Sequence, residues 1–241
     1  MDLFIPVLQE PEHQLAAAVR AAQALARSPE LAVHILCGAD DETTLAHLTR
    51  LTADADGVRL RVVPTCAPKA RAMNEAVRTS HARWIGFLDV DVTVAARDLV
   101  EATTEADRAG LDYVEFVELS VGTSRMTRLL NVQSELFQMA NAYLANRLRG
   151  RYFASSGLLL RRSFALRVGP WPEEGREEGY RWSLTAAGLP QRGWIHPVPA
   201  RGRPAANLYE ALLQRRRWYH GQLRAAVDCL RPGYPGRGRV L

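Results

Sequence analysis

The chain has 241 residues, 47% of them hydrophobic and 24% charged, which indicates one folded core and excludes a disordered chain. No run approaches the roughly 18 apolar residues that a bilayer span needs, the amino terminus does not resemble a secretory signal, and the three cysteines are too scattered for a disulfide framework or a structural zinc site. The formal net charge of +5 at pH 7 is modest, and these properties together predict a soluble, cytoplasmic protein.

Short runs that favour β-strands alternate with helical patterns through the first half of the chain. Helices are predicted over residues 12–27, 68–78 and 95–108. Strands are predicted at 3–8, 31–37, 58–63, 84–88 and 111–119. This alternation indicates an α/β fold, with a mostly parallel, Rossmann-like sheet flanked by helices. In such a fold, ligands bind beyond the carboxyl ends of the strands.

The alternation stops in the second half of the chain. A long helical pattern covers about 125–149, a shorter helix is predicted at 180–187, and a final helix is predicted to follow Pro204. The Pro-, Gly- and Arg-rich segment 231–241 is predicted to be a disordered basic tail. We therefore expect one domain over residues 1–230.

Positive charge is concentrated near the carboxyl terminus. From Arg201 onward nine arginines stand against only Glu210 and Asp228, so the remaining 200 residues carry 5 − 7 = −2. A basic segment of this kind can meet a phosphorylated substrate, a membrane surface or nucleic acid. Nucleic acid is the weakest of the three, because aromatic residues are not interleaved through the segment for base stacking. A location at the inner face of a membrane stays open.

Two aspartates follow the fourth predicted strand. Asp89 and Asp91 come directly after the apolar run 84–88, at the edge of the sheet where ligands bind. Their oxygens suit Mg²⁺ or Mn²⁺ bridging a diphosphate, although a strand-end turn with a capping aspartate has the same pattern. His196 is predicted to follow a short strand and to approach the metal or the diphosphate. A single histidine of this kind is more often structural.

Two helical segments carry groups that suit a phosphate. Lys69 is the only lysine of the chain and opens a predicted helix, where the helix terminus and the cation both favour an anion. Gln214, Arg217 and Trp218 share one face of the last predicted helix. Together they can hold a diphosphate and cover a sugar. Each pattern, taken alone, also fits an ordinary solvated helix.

Taken in order, these motifs resemble the glycosyltransferase family 2 enzymes with the GT-A fold. The resemblance covers about residues 3–223 and is strongest to the QxxRW-type catalytic core of cellulose and hyaluronan synthases. Residues 5–10 look like the family's PVxNE turn, with Gln9 for Asn, and residues 68–74 look like its GKAxAxN segment, with Pro68 for Gly. The resemblance implies donor contacts from Pro6, Glu10, Lys69, Asn74, Asp89, Gln214, Arg217 and Trp218.

The resemblance also implies a metal site and an acceptor site. Asp89 would contact the ribose of the donor and Asp91 the metal, with Asp89 close enough to share it. Ser156 and Gly157 are similar to the family's GSGxxxRR segment, which lines the acceptor subsite, and Trp218 would hold the growing end of the acceptor.

Two segments depart from the family pattern. The family's Glu-Asp pair, whose Asp is the general base, is replaced by Glu177 and Glu178, and matching the apolar positions puts Glu177 at the base position. Family members read uracil with the leading acid of a DDGSxD segment. This chain has Asp40 and Asp41 there, and either can substitute.

The resemblance implies a metal-dependent, inverting glycosyltransferase that uses Mn²⁺ or Mg²⁺ and a nucleotide diphosphate sugar, with a UDP-sugar expected. Because no membrane helices follow the QxxRW motif, we expect a soluble or carrier-bound acceptor hydroxyl. The sequence leaves open the sugar, the acceptor and a homo-oligomer. Two alternatives fit the same sheet: a non-catalytic or partner-dependent subunit of a membrane polysaccharide synthase, and a nucleotidyltransferase that releases inorganic diphosphate.

Overall fold

A computed structural model of the chain describes residues 1–120, 132, 156–174, 178–187, 189–203, 205 and 207–229. Its strands are β1 Asp2–Pro6, β2 Ala32–Gly38, β3 Val58–Val63, β4 Trp84–Phe87, β5 Tyr113–Ser120, β6 Leu158–Arg161 and β7 Gly193–Gly202. Its helices are α1 Glu12–Ala26, α2 Glu42–Thr52, α3 Lys69–Thr79, α4 Ala96–Ala109, α5 Arg162–Val168, α6 Glu178–Ala187 and α7 Leu208–Cys229.

The seven strands form one sheet in the order β3-β2-β1-β4-β6-β5-β7. The first four strands are parallel to one another, and β5 and β7 are parallel to each other. Strand β6 runs antiparallel to both of its neighbours, β4 and β5. The predicted mostly parallel α/β sheet is therefore confirmed, with an antiparallel strand between β4 and β5 that the sequence analysis did not predict.

Alternating side chains of the strands divide the core between the two faces of the sheet. In β1, Leu3 and Ile5 join the cluster that packs against α1, α2 and α4. Phe4, between them, joins the opposite cluster, which packs against α3, α5 and α6. Because successive side chains of a strand point to opposite faces, this pattern gives three layers with the sheet in the middle.

Most of the predicted elements in the first half are confirmed to within one or two residues. Helix α2, strand β6, helix α5 and most of β7 were missed. Strand β7 contains Pro197 and Pro199, which argue against a central strand, but it lies at the edge of the sheet, where proline is tolerated.

Two predicted segments lie outside the described residues. These are the tail at 231–241 and the helical pattern at 125–149, of which only Val132 is described, in a helical conformation. In the described parts of the chain, none of the helices combines the length and the apolar character needed to cross a bilayer.

Candidate active site

The carboxyl ends of β1 and β4 lie side by side at the centre of the sheet. Phe4 of β1 pairs with Phe87 of β4, and the Leu88 amide donates a hydrogen bond of 3.1 Å to the Phe4 carbonyl. The chain connections run outward from this pair of strands, so the turns that follow them border a crevice at the switch point. The turn after β1 contains Gln9, whose φ of 44° is left-handed and uncommon for a residue other than glycine.

Lys69 lies inside this crevice and pairs with Asp89. Lys69 is the first residue of α3, and its Nζ forms an ion pair with Asp89 Oδ1. Only 13% of the Lys69 side chain is exposed, so the ammonium is fixed where it can meet an anion. The amino terminus of α3, which has no side-chain cap, adds the positive end of the helix dipole.

Three further carboxyl groups stand near Asp89, and the electrostatics of the crevice link them. Partial desolvation in the crevice raises the pKa of Asp91, and the charge of Asp89 raises it further. Desolvation also raises the pKa of Glu10, with Asp91 and Asp89 as the next causes. Glu118, on β5, has its pKa raised to about 7 by burial and then by Asp89 and Asp91. The crevice therefore gathers four acids.

Arg203 reaches this acidic cluster through the end of β7. The segment after Asp91 pairs with β7, since Thr93 and Arg201 exchange two backbone hydrogen bonds of 2.8 Å. The positive charge of Arg203 opposes the rise in the pKa of Glu10 and of Asp91. In the amide orientation that satisfies both partners, Gln14 bridges Glu10 at 3.1 Å and Arg203 at 2.5 Å. Glu118 and Arg203 were both missed by the sequence analysis.

Replacing Glu118 should make the stability of the protein less dependent on pH. The folded-state pKa of about 7 lies above the ordinary value of 4.5, so ionisation of Glu118 opposes folding progressively from about pH 4.5 and fully above pH 7. We expect Glu118→Gln to raise the free energy of unfolding at pH 8 by at most about 3 kcal/mol, and by almost nothing at pH 4.5. Urea unfolding at the two pH values, without divalent cations, measures the difference.

Glu105, an exposed glutamate on α4, supplies a matched control for this measurement. Glu105→Gln should change the free energy of unfolding by less than about 0.5 kcal/mol at either pH. If Glu118→Gln shifted stability by the same amount at both pH values, the carboxyl of Glu118 would not be ionising against its surroundings.

The donor set of the crevice suits a hard divalent cation. Asp89 and Asp91 offer carboxylate oxygens, which Mg²⁺ and Mn²⁺ prefer, and a cation there would offset the desolvation and the charge of Asp89 that raise the pKa of Asp91. Among the residues that the structure describes, no group of three or more His, Cys, Asp or Glu side chains is arranged to hold a metal. One or two carboxylates, completed by phosphate oxygens and water, are the usual way in which proteins bind Mg²⁺, so these residues fit.

Asn74 forms two hydrogen bonds with the backbone of Trp171 next to the crevice. Its Nδ2 donates a hydrogen bond of 3.0 Å to the Trp171 carbonyl, and its Oδ1 accepts one of 2.8 Å from the Trp171 amide. The Trp171 ring packs edge-on against Phe87 and stacks on Trp182. Both ends of the Asn74 amide are therefore engaged in fixing α3, and with it Lys69, against the strand that carries the aspartates.

The structure separates the roles of the two acids after β2. Asp41 is the N-cap of α2, and its Oδ1 accepts a hydrogen bond of 3.1 Å from the Thr44 amide. Asp40 is exposed at the carboxyl end of the strand, with its carboxylate folded back over Gly38. Of the two acids that the sequence left open, Asp40 is the one that does not cap the helix.

Ser156 and Gly157 lie directly beside the aspartates. The Asp89 amide donates a hydrogen bond of 3.2 Å to Ser156 Oγ, and the Gly157 amide donates one of 2.9 Å to the Phe87 carbonyl. Gly157 has a φ of +70°, and a Cβ there would stand 2.8 Å from the Phe116 carbonyl oxygen. Only glycine fits this close approach, which joins the segment before β6 to the end of β4.

His196 is not where the sequence analysis placed it. It lies within β7, paired with Phe116, and its buried ring packs at 4.6 Å from the Phe116 ring and 5.0 Å from the Trp194 ring, measured between centroids. Its Nδ1 accepts a hydrogen bond of 3.2 Å from the Val198 amide. The prediction of a position after the strand was wrong, because the residue lies within β7 and its ring packs between two aromatic side chains.

The remaining predicted residues lie on α6, on α7, at the end of β1 or outside the described part of the chain. Gln214 and Trp218 are half-buried on α7, which packs against α6. Arg217 belongs to the same helix, but its side chain is outside the described set. Glu177 is outside the described residues, and Glu178 begins α6, with only its backbone described. Pro6 ends β1 at the crevice.

A three-layer α/β fold with a mostly parallel sheet and an acidic pair after its central strand is the arrangement of the GT-A fold. The chain belongs to the family described as Glycosyl transferase family 2, whose model matches residues 2–166. The resemblance found in the sequence motifs is therefore confirmed at the level of family and fold. No curated protein sequence matches the chain.

Solved glycosyltransferase structures share the fold. The mannosyltransferase PcManGT from Pyrobaculum calidifontis, solved with GDP-Man and Mn²⁺, superposes with a TM-score of 0.67 at 16% identity, over 99% of this chain and 66% of PcManGT. S. aureus TarS 1-349 with UDP-GlcNAc gives a TM-score of 0.61 at 14% identity, over 99% of this chain and 68% of that one. The chain thus spans about two thirds of the length of these structures, and 41% of a longer TarS chain.

Proposed function

We propose that the protein is a metal-dependent, inverting glycosyltransferase that moves a hexose-type sugar from a UDP-sugar to an acceptor hydroxyl. The observation that carries this proposal is the gathering of Glu10, Asp89, Asp91 and Glu118 with Lys69 at the switch point of the sheet. A site that combines clustered acids with a fixed ammonium suits a cation and a diphosphate together.

On the donor side, Lys69 and the uncapped start of α3 provide positive charge for the diphosphate. Asp91, with Asp89 beside it, would hold Mn²⁺ or Mg²⁺, which when bound neutralises charge on the leaving group. Asp89 also accepts from the donor ribose, and Pro6 and Glu10 border the nucleotide. The Gln214, Arg217 and Trp218 face of α7 is proposed to close over the diphosphate and the sugar.

Asp40 is proposed to recognise the uracil base of the donor. It follows the strand next to β1 and, unlike Asp41, is not used to cap α2. The solved relatives include one with GDP-Man and one with UDP-GlcNAc, so the choice of base has to be tested directly.

On the acceptor side, Glu177 is proposed as the general base that removes the hydroxyl proton, with Glu178 as its neighbour and alternative. Ser156 and Gly157 form the wall of the crevice next to Asp89, and Trp218 is proposed to complete the acceptor subsite. Attack on the anomeric carbon from the face opposite the diphosphate then inverts its configuration.

Thermal stabilisation by nucleotides tests the donor assignment. A ligand present at 100 times its Kd stabilises the native state by about 2.7 kcal/mol, which raises the melting temperature by several degrees for a protein of this size. We expect UDP-glucose and UDP-GlcNAc to give this shift with Mn²⁺, a much smaller one with EDTA, and GDP-mannose to give less than either.

This screen, combined with an assay of the phosphate product that is released from the nucleotide, separates the alternatives. If GDP-mannose stabilised the protein more than the UDP-sugars do, the proposed nucleobase of the donor would be wrong. The proposed class of reaction would be unaffected. Release of inorganic diphosphate in place of a nucleoside diphosphate would identify a nucleotidyltransferase. Nucleotide binding without any turnover would identify a non-catalytic subunit, and the absence of a metal-dependent shift with every nucleotide would contradict the proposal.

A further inference from the structure

Helix α7 presents an unusually apolar face to solvent. Seven of its apolar side chains are between 45% and 70% exposed, although such residues are normally buried in a helix of this length. They are Leu208, Tyr209, Leu212, Leu213, Tyr219, Leu223 and Val227. By comparison, isolated exposed apolar residues elsewhere, such as Val62 and Leu166, stand alone on their elements.

These seven side chains lie on one side of the helix. At 3.6 residues per turn they fall within an arc of roughly 140° around the axis of α7. Ala211, which is buried, and Gln214 and Trp218, which are half-buried, lie on the opposite side. The helix therefore packs onto the protein with the side that carries Ala211, Gln214 and Trp218, and it turns outward an apolar strip that also includes Arg216 and His220.

Positive charge accompanies this strip. Arg216 is exposed within the arc itself, and Arg224 is exposed close to its edge. Four arginines of α7 stand against Glu210 and Asp228, and the segment from Arg201 onward carries the positive excess of the whole chain. Arginine stems can lie along apolar surface while their guanidinium groups reach polar partners.

We propose that the outer face of α7 binds the surface of an anionic membrane, with its apolar strip in the headgroup region and its arginines on lipid phosphates. An apolar arc bordered by arginine is the pattern of helices that lie in this interface. A second copy of the chain fits less well, because it would bring two positively charged faces together. This inference does not depend on the donor or on the chemistry of the crevice.

Sedimentation of the full chain with lipid vesicles tests the proposal. We expect binding to vesicles of phosphatidylglycerol and phosphatidylcholine, little binding to phosphatidylcholine alone, and weaker binding as salt increases. The triple substitution Leu212→Glu, Tyr219→Glu and Leu223→Glu should weaken binding at least tenfold. Arg216→Glu with Arg224→Glu should weaken it to a similar extent, and this pair leaves the apolar packing intact.

Matched controls place single charges on exposed apolar residues of other elements. Val62→Glu on β3 and Leu166→Glu on α5 change side chains that are 53% and 52% exposed, and both should bind vesicles like the unchanged protein. Circular dichroism and the melting temperature check that each variant is folded. If the triple variant does not fold, the double arginine variant still tests the proposal.

Two kinds of result would overturn the inference. One is vesicle binding that the α7 variants leave unchanged, or no binding to anionic vesicles at all. The other is a dimer in solution, measured by light scattering over a range of concentrations, that the α7 variants abolish while vesicles have no effect. The second result would assign the face to another copy of the chain.

Discussion

Asp91→Asn is expected to reduce the release of nucleoside diphosphate from the donor by at least about 100-fold. The substitution keeps the shape of the side chain and removes the charge that a hard cation needs. Because water can take the place of the acceptor hydroxyl, slow hydrolysis of the UDP-sugar serves as the assay while the acceptor is unknown. The same variant should lose the Mn²⁺-dependent part of the nucleotide thermal shift, which is a measurement independent of turnover.

Asp56→Asn is the matched control for this substitution. Asp56 is exposed in the turn before β3, at the end of the sheet opposite the crevice, and its replacement should leave both measurements unchanged. If the Asp91→Asn variant hydrolysed the donor and responded to Mn²⁺ like the unchanged protein, Asp91 would not be a metal ligand. Asp89 and Glu10 would then be the candidate ligands.

Glu177→Gln should slow transfer by about 10²- to 10⁴-fold, the range expected when a general base is removed. Donor binding should persist, because the base contacts the acceptor and not the diphosphate, so the thermal shift with UDP-sugar and Mn²⁺ should be retained. Initial rates of nucleoside diphosphate release, with and without candidate acceptors, measure the loss.

The Glu178→Gln variant shows which of the two glutamates is the general base. Glu178 begins α6, where a glutamate is favoured by the helix dipole whatever its function, and its replacement should change the rate less than about threefold. The reverse result would make Glu178 the base. Full activity in both variants would mean that the proton is accepted elsewhere.

The first half of the fold could be predicted because its signals are local. Strands β1, β2 and β4 are short, mainly apolar runs, β3 alternates apolar residues with arginines, and the aspartates follow β4 directly in the sequence. Strand β6 has only four residues, with three consecutive leucines and no alternation, so its antiparallel insertion between β4 and β5 gave no periodic signal.

The acidic cluster could be predicted only in part. Asp89, Asp91, Glu10 and Lys69 belong to motifs that a sequence comparison can detect. Glu118 and Arg203 reach the crevice because β5 pairs with β7 and Thr93 pairs with Arg201, contacts between residues far apart in the chain. Nothing in their local sequence distinguishes them from other charged residues at the ends of strands.

The hydrogen bonds around Gly157 have a mechanical consequence. They fasten the segment before β6 to the end of β4 at two points, from Gly157 to Phe87 and from Asp89 to Ser156. Separating these two walls of the crevice would therefore require both hydrogen bonds to break. Elements that are not linked in this way can move during a catalytic cycle without that cost.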